Sequence, residues 1–145
     1  MKISTRGRYS LRMLLDLAEH REEGFIALKD IAERQEISKK YLEQLVPLLN
    51  HPDILRANRG YRGGYMLAKL PDQYTVGTIL RITEGGLCPV SCLKDDPNQC
   101  GRNGSCKTLP VWRGLTNVIA AYLDSITLQM ILDAWKDNAT DEYTV

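Results

Sequence analysis

Between Leu28 and Leu49 the chain carries two short helical patterns split by a very brief turn, and few folds accommodate that arrangement. Leu28, Ile31 and Ala32 share one face of a helix over residues 28–35. A turn ends at Ile37, Ser38 supplies an N-cap, and Ile37 and Leu42 sit at the two positions of a hydrophobic staple. The second helix turns Leu42, Leu45, Val46 and Leu49 inward, and Lys39, Lys40, Glu43 and Gln44 outward. Two such helices, the second polar at its exposed N-terminal end, have the layout of a helix-turn-helix. Pro47 removes the bond to the carbonyl of Glu43 and predicts that the second helix ends early or bends.

The next segment extends that reading. Residues 54–58 and 65–67 are strand-like and flank the turn Arg59-Gly60-Tyr61-Arg62-Gly63-Gly64, which predicts a β-hairpin, or wing. Its glycines permit positive φ and close backbone approach, while Arg56, Arg59 and Arg62 offer cations suited to a narrow minor groove. No helix opens directly after the glycines, so they are not a dinucleotide-binding fingerprint. Upstream, Leu11, Leu14, Leu15 and Ala18 give the period of a helix over 5–20, capped by Ser4 or Thr5. Arg6, Arg8 and Arg12 lie in its first turns. There they oppose the helix dipole unless a phosphate docks beside them, the alternative being a solvated basic surface.

Charge agrees with this division without proving it. The net charge of +1 conceals 13 Lys/Arg against nine Asp/Glu in residues 1–69, and six against nine thereafter. No apolar run reaches the length of a bilayer span, and the N-terminus lacks the pattern of a secretory signal, so a cytoplasmic location is the expectation. Two histidines, no phosphate loop and no nucleophile–base pairing argue against an enzyme.

Beyond Pro71, Thr75 caps a predicted helix from Val76 to about Glu84 that stops at Gly85-Gly86. An unpatterned stretch over 86–107 follows, of a length unusual in a compact domain unless functional or held by something. Helical spacing returns over 110–124, with Trp112, Leu115, Val118, Ile119, Tyr122 and Leu123 apolar, and again from Thr127 to about Trp135. The longer helix reads as a dimer element, or else folds back on its own domain. The expected organisation is a mostly α chain: a winged helix-turn-helix over 1–84, a cysteine-rich loop over 85–107, dimerisation helices over 108–136, and a polar, frayed tail over 137–145.

All four cysteines fall in that loop, spaced Cys88-x3-Cys92-x7-Cys100-x5-Cys106. In a reducing compartment clustered thiols bind metal or sense redox state. Zinc sites favour two close cysteine pairs, whereas irregular spacing on a pliable loop suits the separated irons of an iron–sulfur cluster. Spacing alone leaves a cluster, structural zinc and a switching disulfide all open.

Three motifs in order narrow the field: Met1-Lys2-Ile3-Ser4-Thr5-Arg6-Gly7-Arg8-Tyr9, Ser38-x-x-Tyr41-Leu42-Glu43-Gln44-Leu45, and Arg59-Gly-x-x-Gly-Gly-Tyr65-x-Leu67. Over residues 1–133 the chain resembles the winged-helix regulators typified by the iron–sulfur cluster regulator, which include a nitric-oxide-sensing repressor and a cysteine-metabolism repressor. The resemblance implies a homodimer on a pseudo-palindromic double-stranded DNA operator, with Ser38, Tyr41, Glu43 and Gln44 at the recognition helix and Arg59 and Gly60 at the wing. In such a frame Gln44 suits adenine, Glu43 suits cytosine, and Arg59 suits a minor groove. Arg6, Arg8, Lys29, Lys39, Lys40, Arg56 and Arg62 complete the candidate DNA-binding set. The resemblance also implies a 2Fe-2S or 4Fe-4S cluster held by Cys92, Cys100 and Cys106, with redox control of DNA binding, most simply repression. Relatives lacking these cysteines bind no cluster.

The family's fourth ligand does not carry over. A histidine three residues beyond the last cysteine is replaced here by Leu109, and an aspartate of the partner's first helix by Arg8. Cys88 becomes the candidate fourth ligand. Zinc, or a thiol switch without a cluster, is the alternative.

Overall fold

The computed structural model describes residues 2–94 and 98–142. Met1, the Asp95–Pro97 part of the cysteine loop and tail residues 143–145 lie outside the described residues. Helices α1 (Thr5–Glu19), α2 (Leu28–Gln35) and α3 (Lys39–Leu49) lead into strands β1 (Leu55–Asn58) and β2 (Gly64–Leu67). Helices α4 (Val76–Glu84), α5 (Leu109–Asp124) and α6 (Leu128–Glu142) follow. Among the described residues, six α-helices and one two-stranded antiparallel sheet make a mostly α winged helix-turn-helix with helices after it, as the sequence implied.

The caps form where the sequence placed them. The Ser4 hydroxyl accepts from the Gly7 amide, that of Ser38 from Tyr41 and that of Thr75 from Thr78, each satisfying an otherwise orphaned donor. Gly85 closes α4 in the left-handed region. Between α2 and α3, Glu36 takes φ 53°, and the Ile37 amide reaches back to the Ala32 carbonyl, so the chain reverses within two residues. A non-glycine residue in that region costs roughly 1–2 kcal/mol. Burial of Ile37 at the turn offsets it.

The main core joins α1, α2, α3, the wing and α6, and a smaller cluster joins α4 to α5. Met13, Leu14 and Leu17 of α1 pack with Ile31 of α2, with Leu42, Leu45 and Leu49 of α3, with Leu67 of the wing, and with Leu128 and Leu132 of α6. Tyr74 is buried among them, and burial pushes its phenol pKa up. Its hydroxyl donates to the Ile54 carbonyl at 2.8 Å and accepts from the Lys69 amide at 3.0 Å, fastening the base of the wing. The α6 backbone is tied to the strand-like segment before α4, with Val76 N–H on the Ile126 carbonyl at 2.9 Å and Leu128 N–H on that of Tyr74 at 3.1 Å.

Two expectations need correction. Pro47 does not end α3, which runs on to Leu49. Leu45 and Leu49 are buried on either side of it, and the Asn50 amide closes the last turn on Val46 at 2.7 Å. Glu43 and Pro47 are both exposed, so water can take up the carbonyl that Pro47 leaves unpaired. Helix α6 does not fray from Asp137, since its backbone stays helical to Glu142. Residues 136–142 contain neither glycine nor proline to stop it.

Candidate nucleic-acid interface and cysteine loop

Helix α3 presents its polar face to solvent as its spacing requires. Ser38, Lys39, Lys40, Glu43 and Gln44 are exposed, and Lys39 stands 3.9 Å from Glu43. Tyr41 differs. It is half-buried and meets the Tyr9 ring edge-on, with centroids 5.4 Å apart, so part of its ring seats α3 against α1.

The pose of α2 is fixed by a polar network that sequence reasoning missed. Asp16, 1% exposed, accepts two bonds from Arg34, at 2.7 and 3.0 Å, and one from the Gln35 side-chain amide at 3.0 Å. The hydrogen bonding to Asp16, foremost, holds the Arg34 guanidinium above its ordinary pKa. Arg12 donates to the Gln35 backbone carbonyl and lies 5.1 Å from the centre of the Tyr9 ring. Arg12 is therefore an internal clamp between α1 and α2 and not a cation awaiting a phosphate. Arg6 and Arg8 are exposed at the start of α1, Arg8 donating to the Thr5 hydroxyl at 3.0 Å, and Lys29 is exposed on α2. The aspartate at the turn before last of α1 was the available signal, because a buried carboxylate demands a partner.

The dipole conflict at the start of α1 has a local answer. Glu84 Oε1 accepts from the Ser4 hydroxyl at 2.6 Å and from its amide at 3.1 Å, which brings a carboxylate from the last turn of α4 to the positive end of α1. A Cβ on Gly7 would fall 2.2 Å from that same oxygen, which accounts for glycine between two arginines.

The wing is an antiparallel hairpin with Leu55 opposite Leu67 and Asn58 opposite Gly64. Arg56, Arg59, Gly60 and Arg62 are all exposed. An isolated β-bridge braces β2 from the side, since Ile26 and Tyr65 exchange both backbone bonds at 2.9 Å. A Cβ on Gly64 would lie 2.2 Å from the Ile26 carbonyl oxygen, so the second glycine of the Gly-Gly pair is a packing requirement. At the tip, Arg62 has φ 64°, again at a cost of roughly 1–2 kcal/mol.

The cysteine loop is built otherwise. Within 85–107 a single three-residue 3-10 turn, Ser91–Leu93, is regular among the described residues, and Leu87 alone is buried. All four thiols are free: Cys100 is exposed, and Cys88, Cys92 and Cys106 are half-buried. Cys88 donates to the Leu93 carbonyl at 3.1 Å and borders a cavity of about 200 Å³ with Lys2, Glu84 and Lys94. The Thr108 hydroxyl, 3.4 Å from Cys106 Sγ, is the chief cause that lowers the Cys106 pKa toward the thiolate form. Soft thiolates suit iron or zinc. Among the described residues, however, no three His, Cys, Asp or Glu side chains gather as a metal-binding group. Leu87, near the start of the loop, packs with Val76 and Leu80 of α4. Leu109, where the resemblance would put a histidine ligand, is 5% exposed and apolar.

A family profile described as "Rrf2: Iron-dependent Transcriptional regulator" matches residues 3–134. The chain belongs to the Rrf2 family. Its similarity to the HTH-type transcriptional regulator CymR of Bacillus subtilis is 36% identity over 143 residues, 99% of this chain and 97% of that protein. The structure of CymR, the global cysteine regulator of B. subtilis, superposes with a TM-score of 0.76 at 35% identity, covering 92% of this chain and 98% of that one. T. potens IscR superposes with a TM-score of 0.74 at 37% identity, covering 95% and 90%. This Rrf2-family chain is thus a DNA-binding transcriptional regulator of the winged helix-turn-helix type and not an enzyme. Among the described residues no helix is long and apolar enough to cross a membrane.

The long helix of this Rrf2 protein serves two sides. Ile119 and Leu123 of α5 pack with Val76 and Leu80 of α4, and Arg81 forms two bonds to Asp124, at 2.7 and 2.8 Å. Val111, Leu115, Val118 and Tyr122, spaced four, three and four residues apart, form an apolar stripe in solvent, Val118 being 66% exposed.

Proposed function

We propose that the chain is a homodimeric cytoplasmic repressor whose hold on a pseudo-palindromic operator is governed by an iron–sulfur cluster on the 85–107 loop. The observation that carries the DNA half is the exposed polar N-terminal face of α3, with Ser38, Lys39, Lys40, Glu43 and Gln44, on the same core as a hairpin bearing exposed Arg56, Arg59 and Arg62. In this class of fold the second helix of the pair enters a major groove while flexible or β elements reach the adjoining minor groove. Arg6, Arg8 and Lys29 would meet phosphates, and replacing Arg59 with alanine should reduce operator affinity.

For the cluster half, the support is a set of four free thiols within residues 88–106, the iron-dependent description of the family, and the likeness to IscR. Cys92, Cys100 and Cys106 would be the main ligands and Cys88 the fourth. A bound 2Fe-2S or 4Fe-4S cluster would supply a redox-sensitive cross-link among them. The chain's own residues provide the route outward. Leu87 and Leu109 anchor the loop ends, Glu84 beside it grips the α1 cap, and Arg81 links α4 to α5. Ordering the loop would then shift the pose of two recognition helices across the dimer. The α5 stripe is the surface that a second copy would cover.

A second reading, a thiol- or zinc-switched regulator without a cluster, or a repressor of the cysteine-metabolism type, is favoured by the extent of the likeness to CymR. Anaerobic purification with an absorption spectrum and iron, sulfide and zinc assays separates the two. Visible charge-transfer bands with iron and sulfide support the cluster, while a colourless protein with one zinc per chain supports the second reading. Sedimentation of wild type and Val118→Asp tests the dimer, the variant being expected to run as a monomer.

A further inference from the structure

Tyr61 stands at the apex of the wing and is 95% exposed. A ring so placed contributes almost no buried area to the fold. The backbone around it is nevertheless tightly set. The Gly63 amide donates to the Gly60 carbonyl at 2.9 Å and closes a four-residue turn with Tyr61 and Arg62 at its centre. A Cβ on Gly63 would lie 2.5 Å from the Asn58 carbonyl oxygen, so the turn cannot relax by accepting a larger residue there. Arg62 takes φ 64° at the third turn position, where glycine or asparagine is the ordinary occupant. Held in that conformation, its guanidinium carbon is 5.9 Å from the centre of the Tyr61 ring, within cation–π range.

A strained residue, a turn that glycine alone permits, and a fully presented aromatic ring coincide at one point. The stalk beneath is stiffened by the registered hairpin and by the Ile26–Tyr65 bridge. Strain of this kind persists where the surrounding structure over-determines it, and it concentrates where a ligand is gripped.

We propose that Tyr61, backed by Arg62, is an apolar reader of DNA shape. Its ring presses into the minor groove at a flexible pyrimidine–purine step beside the position of Arg59. Apolar side chains pushed against such steps partly unstack them, and TA and CA steps yield most readily. Arg62 covers one face of the ring and faces the phosphates, which leaves the other face for the bases. The proposal rests on the wing reading above and extends it from charge to shape.

The probe is the duplex that full-length wild-type protein enriches from a random-sequence pool. Tyr61→Ala should bind it about ten-fold more weakly, equivalent to about 1.4 kcal/mol. Because an apolar contact releases no counterion, the slope of log affinity against log salt should stay at the wild-type value, whereas Arg59→Ala should lower that slope by about one. Tyr61→Phe should retain wild-type affinity. Arg62→Gly should relieve the turn, raising the thermal midpoint while weakening binding. Exchanging the flexible step under the wing for a G·C step should weaken wild-type binding and leave Tyr61→Ala indifferent.

Wild-type affinity and step preference in Tyr61→Ala would overturn the proposal. So would a salt slope that falls as it does for Arg59→Ala, since the tip would then act through charge alone. A wild-type protein that enriches no duplex overturns the wing reading itself, and this proposal with it.

Discussion

From Thr5 to Glu84 every regular helix buries at least one large apolar side chain, with Leu14, Ile31, Leu42 and Ile79 fully enclosed. From Gly85 to Lys107 Leu87 alone is buried among the described residues, and backbone bonds are confined to short turns. The first region has a single conformation imposed from many directions. The second, among its described residues, shows few such constraints. The difference teaches how unevenly stability is spread along one chain: enclosed side chains tie an element to several neighbours at once, while a stretch with few enclosed side chains opens at less cost.

That contrast can be broken by matched substitutions. Leu42→Ala empties a fully enclosed site and should destabilise the protein by about 2–5 kcal/mol, read as a lower denaturant midpoint at constant m-value. Ser38→Ala removes the α3 cap and should cost about 1 kcal/mol, with the amides of the first α3 turn exchanging faster with solvent. In protein without bound metal, Cys100→Ser on the exposed part of the loop should stay within about 0.5 kcal/mol of wild type. A Cys100→Ser cost as large as that of Leu42→Ala would mean that the loop is as firmly packed as the core.

The smallest expected effect sharpens the comparison at the joint between the regions. The Arg81 hydrogen bonds hold the Asp124 pKa below its usual value. A carboxylate depressed in the folded state stabilises it above the unfolded pKa of about 3.9, and that contribution disappears as pH falls through the depressed folded value. Asp124→Asn should therefore flatten the acid limb of the stability curve slightly, the pair being exposed. An unchanged acid limb would show that the α4–α5 link contributes nothing there.

Much of the DNA-binding half was legible from residues. Ser4, Ser38 and Thr75 cap through local rules, Gly85 stops α4, and the Ile37–Leu42 staple needs only four or five residues of context. The wing followed from two strand-like runs around glycines. Pro47 was misjudged because its effect depends on neighbours, Leu45 and Leu49 carrying α3 past it, and the end of α6 because a polar run was read as a stop where neither glycine nor proline interrupts the helix. For Arg12 the sequence left a phosphate contact and a solvated surface both open, and Gln35 of another helix claims it instead.

The sequence by itself determined the order and caps of the elements, the polar face of α3, the cations of the wing and the confinement of four thiols to one segment. These are properties of spacing, set by interactions a few residues long. Only the tertiary structure decided that Asp16 meets Arg34, that Glu84 grips the start of α1, that the α5 stripe stays in solvent and that Tyr61 stands clear of everything but Arg62. Each of those depends on which distant residue arrives beside it, and that is fixed only when the shared core closes.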